Sequence, residues 1–117
     1  MLEKVGVGID IVEIKRFSNK PYETNKFFYE KIFHPSEIEN CLKRVNSSEC
    51  FAGKFAIKES VIKSISINIE FLDILITYSN SKPVVTLKNN SSYAFLVSLT
   101  HENTNAVSVV ISEKLDS

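Results

Sequence analysis

Apolar residues alternate with small or acidic ones in the stretch VGVGIDIV, residues 5–12. This period of two predicts a β-strand with one face made of valine and isoleucine. The other face carries two glycines ahead of Asp10, so bare backbone lies beside a carboxylate where a ligand could approach closely. Burying Asp10 without a partner is costly, so this carboxylate is either solvated or bound to a donor or a cation.

Three helices are predicted after this strand. The first ends near Pro35, because proline disfavours helical geometry in the residue before it. Ser36 has the form of a capping box with the glutamate three residues later, and it begins the second helix. Ser47 or Ser48 caps the third helix, which we expect over about residues 49–65.

The apolar pattern returns to a period of two near residue 65. It predicts β-structure over 65–71, 74–78, 84–87, 95–100 and 106–111, with a hairpin turn at 80–83. One strand, then helices, then antiparallel strands is the order of an α+β fold. A chain of 117 residues can bury a core of its own, so we expect a single domain over residues 1–117.

The charge balance, the hydropathy and the cysteines argue against several classes of protein. Fourteen Lys and Arg residues balance fourteen Asp and Glu residues, which removes long-range attraction to nucleic acid. No apolar run approaches the roughly 20 residues that span a bilayer, so we expect a cytoplasmic protein without membrane contact. Cys41 and Cys50 are too few for a disulfide framework and lack the spacing of a zinc site, which suits a reducing cytosol.

Glu59 and Lys63 are candidate partners of Asp10, and we call these three residues the carboxylate site. The glutamate and the lysine lie four residues apart on the third predicted helix, at the edge of its apolar face. The simple interpretation is a helical ion pair worth about 0.2–0.5 kcal/mol. The functional interpretation is that Asp10 and Glu59 bind Mg²⁺ while Lys63 contacts a phosphate, because Mg²⁺ takes one or two carboxylates together with phosphate oxygens.

Ser98, Thr100 and His101 close a predicted strand, and we call them the strand-end group. The two hydroxyls share one face and the imidazole follows, so all three could converge on an anion. A turn histidine with one satisfied hydrogen bond is the alternative. The sequence has no second histidine or cysteine close to His101, no Gly-x-Ser-x-Gly and no phosphate-binding glycine loop, which disfavours a zinc site, a Ser-His hydrolase and the nucleotide folds with such loops.

Basic residues flank the start of the helical region. They are Lys15, Arg16, Lys26 and Lys31. They form either a modest patch for an acidic protein partner or ordinary solvated helix faces, and the pattern leaves both interpretations open.

Four segments together resemble the motifs of one enzyme family. They are GIDIVEIKR at 8–16, FHPSEI at 33–38, FAGKFAIKESVIK at 51–63, and SLTHE at 98–102 followed by AVSVV at 106–110. Their order and their residues are similar to those of the holo-acyl-carrier-protein synthases, the small phosphopantetheinyl transferases. The resemblance covers nearly the whole chain, although Thr and Ala are usual where this chain has His34 and Ser60.

The resemblance implies a fold and a reaction. The fold would be phosphopantetheinyl transferase-like, and the reaction would move the phosphopantetheine arm of coenzyme A to a serine of an acyl carrier protein, releasing 3′,5′-ADP. Asp10 and Glu59 would hold Mg²⁺ against the coenzyme A pyrophosphate, and Lys63 would neutralise phosphate charge. The base that accepts the serine proton is left open between Glu59 and a water beside the metal.

The resemblance also implies partners. Family members are trimers with sites between subunits, so the strand-end group would reach coenzyme A beside the carboxylate site of a neighbouring chain. An acidic carrier protein would dock on the helical region, at Arg16, Lys26, Phe28 and Lys31. The setting would be lipid metabolism, with fatty-acid or polyketide synthesis left open.

Two further functions are open to the same residues. A diverged module would bind carrier proteins without transferring, and a metal-dependent phosphoesterase would use Asp10 and Glu59 with water as the nucleophile. The family commonly has a Gly-Thr-Gly loop after the position of Lys63, whereas this chain has SISINI at 64–69. We interpret the difference as a shortened loop that leaves activity unchanged. Coenzyme A affinity is the property that a change in this loop would affect.

Overall fold

The computed structural model describes residues 2–90 and 92–115. Its helices and strands follow the predicted α+β order of one strand, helices and then antiparallel strands. They are β1 (Val5–Glu13), α1 (Lys15–Ser18), α2 (Lys26–Glu30), α3 (Pro35–Leu42), α4 (Ser47–Ser64), β2 (Ile74–Ser79), β3 (Lys82–Leu87), β4 (Tyr93–His101) and β5 (Asn105–Lys114). Short 3₁₀ turns lie at Tyr22–Thr24 and Phe71–Asp73. Within the described ranges, no helix is long and apolar enough to cross a bilayer.

Two antiparallel sheets pack against the long helix α4. The first sheet has the strand order β1, β5, β4, and the second is the hairpin of β2 and β3. In the first sheet Asp10 lies opposite Ser108 of the central strand. Every residue from Phe51 to Lys58 is buried, because the sheet, the hairpin and the shorter helices surround this part of α4.

The glycine face of β1 lies directly against α4. A Cβ atom built on Gly6 would lie 1.7 Å from the Ser64 carbonyl oxygen, and one on Gly8 would lie 1.9 Å from the Ser60 carbonyl oxygen. The Ser112 hydroxyl reinforces this packing by donating a hydrogen bond of 2.7 Å to the Ser64 carbonyl. The close approach that we predicted at the glycines is present, but the helix backbone occupies the place that we assigned to a ligand.

The opposite face of β1 is apolar and exposed. Val7, Ile9 and Ile11 are 64%, 62% and 65% exposed. The row of Val7 continues across the sheet through Ile111 to Leu96, which are both exposed as well. A contiguous apolar face of this kind is typical of a surface that contacts another protein.

Helix α3 begins earlier than predicted. Its N-cap is His34 rather than Ser36, and Pro35 occupies the first helical position. The His34 backbone N–H donates to Glu37 Oε1 at 2.7 Å. Proline favours this position because its fixed φ suits a helix start and its missing N–H is not needed there.

Helix α4 also differs from the prediction at both ends. Asn46, rather than one of the two serines after it, is the N-cap, and its side chain accepts a hydrogen bond of 3.0 Å from the Glu49 N–H. The helix ends at Ser64, and residues 65–70 form an irregular connection instead of the predicted strand. Ile69 of this connection packs against the core between α4 and the hairpin, which explains its apolar character without strand pairing.

Cys41 and Cys50 form a disulfide, which contradicts the prediction of reduced thiols. Their Cα atoms lie 5.4 Å apart, and the bond joins the last turn of α3 to the first turn of α4. The prediction considered only the number and spacing of cysteines. The short connection between the two helices is what brings these side chains together.

We expect reduction of this disulfide to lower the free energy of unfolding by about 2–3 kcal/mol, because the bond closes a short loop and restricts the unfolded chain. Thermal unfolding with and without dithiothreitol measures the effect. The double variant Cys41→Ser/Cys50→Ser is the control, and it should unfold like the reduced protein in both buffers. Equal stability in both buffers for the parent protein, with two free thiols detected before reduction, would contradict the bond.

A buried ion pair ties α3 to α4. Lys58 Nζ lies 2.8 Å from Glu37 Oε1, and both side chains are 0% exposed. The ammonium group also donates to the carbonyl oxygens of Ile32 at 2.8 Å and Phe71 at 3.2 Å. Glu37 Oε2 accepts a hydrogen bond of 2.8 Å from the Ile76 N–H. This network therefore fixes the positions of α3, α4 and the first strand of the hairpin relative to one another.

Candidate active site

Asp10 and Lys63 form an ion pair between β1 and the last turns of α4. Lys63 Nζ lies 3.0 Å from Asp10 Oδ1 and donates to the Ile9 carbonyl oxygen at 3.1 Å. The Asp10 side chain is only 15% exposed. Within the described ranges, the ion pair of Lys63 is therefore with Asp10 rather than with Glu59 along the helix. The glycines of β1 explain this choice, because they let the helix lie within reach of the strand.

Glu59 lies half-buried beside this pair. Burial raises the pKa of Glu59, the negative charge of Asp10 raises it further, and the positive charges of Lys63 and Arg16 oppose the rise. The two carboxylates are therefore close enough to repel each other, although they are distant in the sequence. The structure thus brings together the three residues of the carboxylate site.

The donor set of the carboxylate site fits Mg²⁺ that is bound jointly with phosphate. The described part of the chain contains no group of three or more His, Cys, Asp or Glu side chains that could hold a metal ion. Two carboxylates leave most positions of an octahedral ion unfilled, and Mg²⁺ commonly fills them with substrate phosphate oxygens and water. Asp10 and Glu59 are the residues that could hold such an ion.

The strand-end group is divided between two faces of the sheet. Ser98 and Thr100 lie on the exposed face, in rows that cross β5 and reach β1. His101 lies on the helix side, where its Nδ1 is 3.2 Å from Glu49 Oε2. Alternation along a strand requires this division. The two hydroxyls and the imidazole therefore do not converge within one chain.

A cleft of about 520 Å³ lies beside His101 and is also lined by Arg44, Glu49 and Tyr78. Lys54 is buried behind the residues that line the cleft, and its Nζ donates to the Tyr78 hydroxyl at 2.6 Å. Burial lowers the pKa of Lys54 to about 8. The lining of the cleft combines the basic side chains of Arg44 and His101 with the carboxylate of Glu49. Sequence reasoning missed Lys54, although a lysine within an otherwise apolar helical segment was a usable signal.

The carboxylate site and the His101 cleft lie at different ends of α4. Glu49 contacts His101 near the start of the helix, and Glu59 lies beside Asp10 near its end. Ten residues of helix separate the two glutamates by about 15 Å along the axis. Within one chain, His101 therefore lies far from the carboxylate site.

The predicted docking residues lie on and around α1 and α2, where cations lie over aromatic rings. The ring contacts, at 4.4–5.8 Å, are Arg16 over Phe55, Lys20 over Phe28, Lys26 over Tyr22 and Lys31 over Phe27. Phe27 is 71% exposed, whereas Phe28 is half-buried and packs against the core. The apolar pattern of this helix cannot distinguish the two, so sequence reasoning missed the exposed aromatic residue.

A model of the 4′-phosphopantetheinyl transferase superfamily matches residues 6–110. The chain belongs to this superfamily. A holo-[acyl-carrier-protein] synthase of Halothermothrix orenii is 31% identical over 121 residues, covering 93% of this chain and 97% of that protein. Another, from Mycoplasma capricolum subsp. capricolum, is 37% identical over 109 residues, covering 92% and 93%.

Solved structures of this superfamily agree with the fold. The crystal structure of Helicobacter pylori holo-[acyl-carrier-protein] synthase in complex with coenzyme A superposes with a TM-score of 0.76 and 32% identity, covering 89% of this chain and 96% of that chain. The phosphopantetheinyl transferase-like fold and the transferase class that the motifs predicted are confirmed.

Proposed function

We propose that this transferase is a magnesium-dependent holo-acyl-carrier-protein synthase. Its substrates would be coenzyme A and an apo carrier protein, and 3′,5′-ADP would be released. The observation that carries the proposal is the convergence of Asp10, Glu59 and Lys63 at one place on β1 and α4. The names of the similar enzymes, and the coenzyme A in the Helicobacter pylori complex, support it.

The reaction forms a bond between the carrier serine oxygen and the phosphorus that bears the pantetheine arm, and it breaks the bond from that phosphorus to 3′,5′-ADP. Asp10 and Glu59 would hold Mg²⁺, which when bound would supply positive charge for the pyrophosphate oxygens and the departing phosphate. Lys63, oriented by Asp10 and the Ile9 carbonyl, would place a positive charge at the same oxygens. The base that accepts the serine proton is either Glu59 or a water beside the metal.

We further propose that each complete site forms between two copies in a trimer. His101 would then reach coenzyme A at the carboxylate site of the neighbouring copy, whereas Ser98 and Thr100, on the opposite face of the sheet, would lie in the contact between copies. Two observations support this arrangement. The carboxylate site and the His101 cleft, which are the two proposed half-sites, lie at different ends of α4. Ser98 and Thr100 lie on the exposed face of the sheet, where the exposed residues of β1 are strongly apolar. A head-to-tail contact that closes after three copies uses such a face repeatedly.

Subunit mixing tests the shared site. Asp10→Asn and His101→Ala damage different half-sites, so chains of the two variants refolded together should regain about a quarter of the wild-type activity. At coenzyme A concentrations far below KM, either variant alone should stay well below that level. Light scattering should give three chain masses for each protein. A monomeric mass, or mixed trimers without recovery, would contradict the shared site.

An acidic carrier protein would dock on α1, α2 and the adjoining turns. Arg16, Lys26 and Lys31 supply positive charge there, and Phe28 supplies apolar surface at the edge of the core. Charge complementarity would chiefly raise the association rate, and the effect would weaken with added salt.

The test of the reaction is incubation with coenzyme A, MgCl₂ and an apo carrier protein, followed by intact mass spectrometry. The proposal predicts a carrier mass increased by one phosphopantetheine arm, with equimolar 3′,5′-ADP. No increase with several carrier proteins would overturn it. Carrier binding without transfer would instead select a binding module, and 3′,5′-ADP release without a carrier would select a phosphoesterase.

A further inference from the structure

Glu49 contacts His101 in the cleft at the start of α4. Its Oε2 atom lies 3.2 Å from His101 Nδ1, and both residues line the cleft with Arg44 and Tyr78. We propose that Glu49 is a positioning residue, which fixes the imidazole ring so that its other nitrogen serves a phosphate group of coenzyme A. This inference rests on the proposed function, which places coenzyme A at His101.

The backbone that carries Glu49 is well fixed. Its N–H donates to the Asn46 side chain at 3.0 Å, so Glu49 belongs to the capped first turn of α4. The next residue, Cys50, is joined to Cys41 of α3 through the disulfide. The backbone of Glu49 is therefore held in place both by the helix cap and by the neighbouring disulfide bond.

His101, in contrast, is the last residue of β4 and is exposed. A side chain in that position keeps much of its rotamer freedom unless another group restrains it, and ligand binding must then pay for ordering it. The contact of 3.2 Å between Nδ1 and Glu49 Oε2 restrains the ring beforehand. It also occupies Nδ1, which leaves Nε2 as the ring nitrogen that is free to meet an anion.

A purely structural role for Glu49 makes a different prediction. An acidic residue in the first turn of a helix stabilises the helix through its dipole. Loss of that effect would lower the stability of the whole protein, but it would not depend on the presence of His101. Coupling between the two residues in coenzyme A binding is therefore the decisive quantity.

The experiment is a double-mutant cycle read by calorimetric binding of coenzyme A and by steady-state kinetics. Because the pair is partly exposed, we expect Glu49→Ala to weaken coenzyme A binding by about two- to five-fold. It should raise KM for coenzyme A by the same factor with little change in kcat. Glu49→Gln keeps an acceptor for Nδ1–H and should bind almost as the wild type does. His101→Ala should weaken binding more, and Glu49→Ala should add nothing in that background.

Glu39→Ala is the matched control, because Glu39 also forms an exposed ion pair, with Lys43 on α3. It should leave coenzyme A binding unchanged. Independent effects of Glu49→Ala and His101→Ala, or no effect of Glu49→Ala, would overturn the inference while leaving the transferase proposal intact. Absence of coenzyme A binding by the wild type would overturn both.

Discussion

Asp10→Asn should lower kcat/KM for carrier modification by about 10²–10³-fold without unfolding the protein. Asparagine keeps the shape of the side chain but lacks its negative charge. The variant would therefore lose one of two carboxylates for Mg²⁺ and the ionic partner of Lys63, whose Nζ lies 3.0 Å from Asp10 Oδ1. Holo-carrier formation, followed by intact mass spectrometry over a range of MgCl₂ concentrations, measures the loss.

Glu13→Gln is the control for this variant. Glu13 lies on the same strand and carries the same charge, but its side chain is exposed and it lies 3.7 Å from Lys15. Its removal should change kcat/KM little, because an exposed pair of this kind contributes little. Circular dichroism should show native structure for both variants. Activity of Asp10→Asn within a few-fold of the control would contradict the metal-binding role of Asp10.

Glu37→Gln should destabilise the protein by about 3–5 kcal/mol, because it leaves the buried Lys58 without its ionic partner. Burial already lowers the pKa of Lys58, and Glu37 opposes that shift through a hydrogen bond and its charge. The amide would also replace one of the two oxygens that accept hydrogen bonds from the backbone N–H groups of His34 and Ile76 with an NH₂ donor. Urea denaturation followed by circular dichroism measures the change in the free energy of unfolding.

Glu39→Gln separates the effect of burial from the effect of charge on α3. Glu39 lies on the same helix and pairs with Lys43 at 3.1 Å, but both side chains are largely exposed. We expect this variant to cost less than about 1 kcal/mol. The double variant Glu37→Leu/Lys58→Met should be less destabilised than Glu37→Gln alone, because it leaves no unpaired buried charge. Equal costs for Glu37→Gln and Glu39→Gln would contradict the structural role of the buried pair.

Features that depend on near neighbours in the sequence were predicted well. The period of two in residues 5–12 predicted β1, and the spacing of apolar residues predicted α4 and the later strands. The helix caps were missed by one or two positions, because several residues that can cap lie together at both helix starts. His34 and Asn46 are the caps, since the helical turn begins directly after each of them.

The use of each face of β1 could not be predicted from the strand alone. The pattern showed an apolar face and a glycine face, but only the packing of α4 decides that the glycine face is buried. The same packing turns Lys63 toward Asp10 instead of Glu59. Likewise, the apolar spacing of α2 cannot show that Phe27 is exposed and Phe28 half-buried.

The order of the elements, the family motifs and the candidate residues can be read from the sequence, because each depends on residues that are close together along the chain. The Cys41–Cys50 bond, the buried pair of Glu37 and Lys58, and the separation of His101 from the carboxylate site became evident only from the folded chain. Each of these depends on which surfaces meet after the chain folds back on itself. Which surfaces meet depends on how all of the apolar surfaces pack together in the core. It therefore cannot be read from any single segment of the sequence.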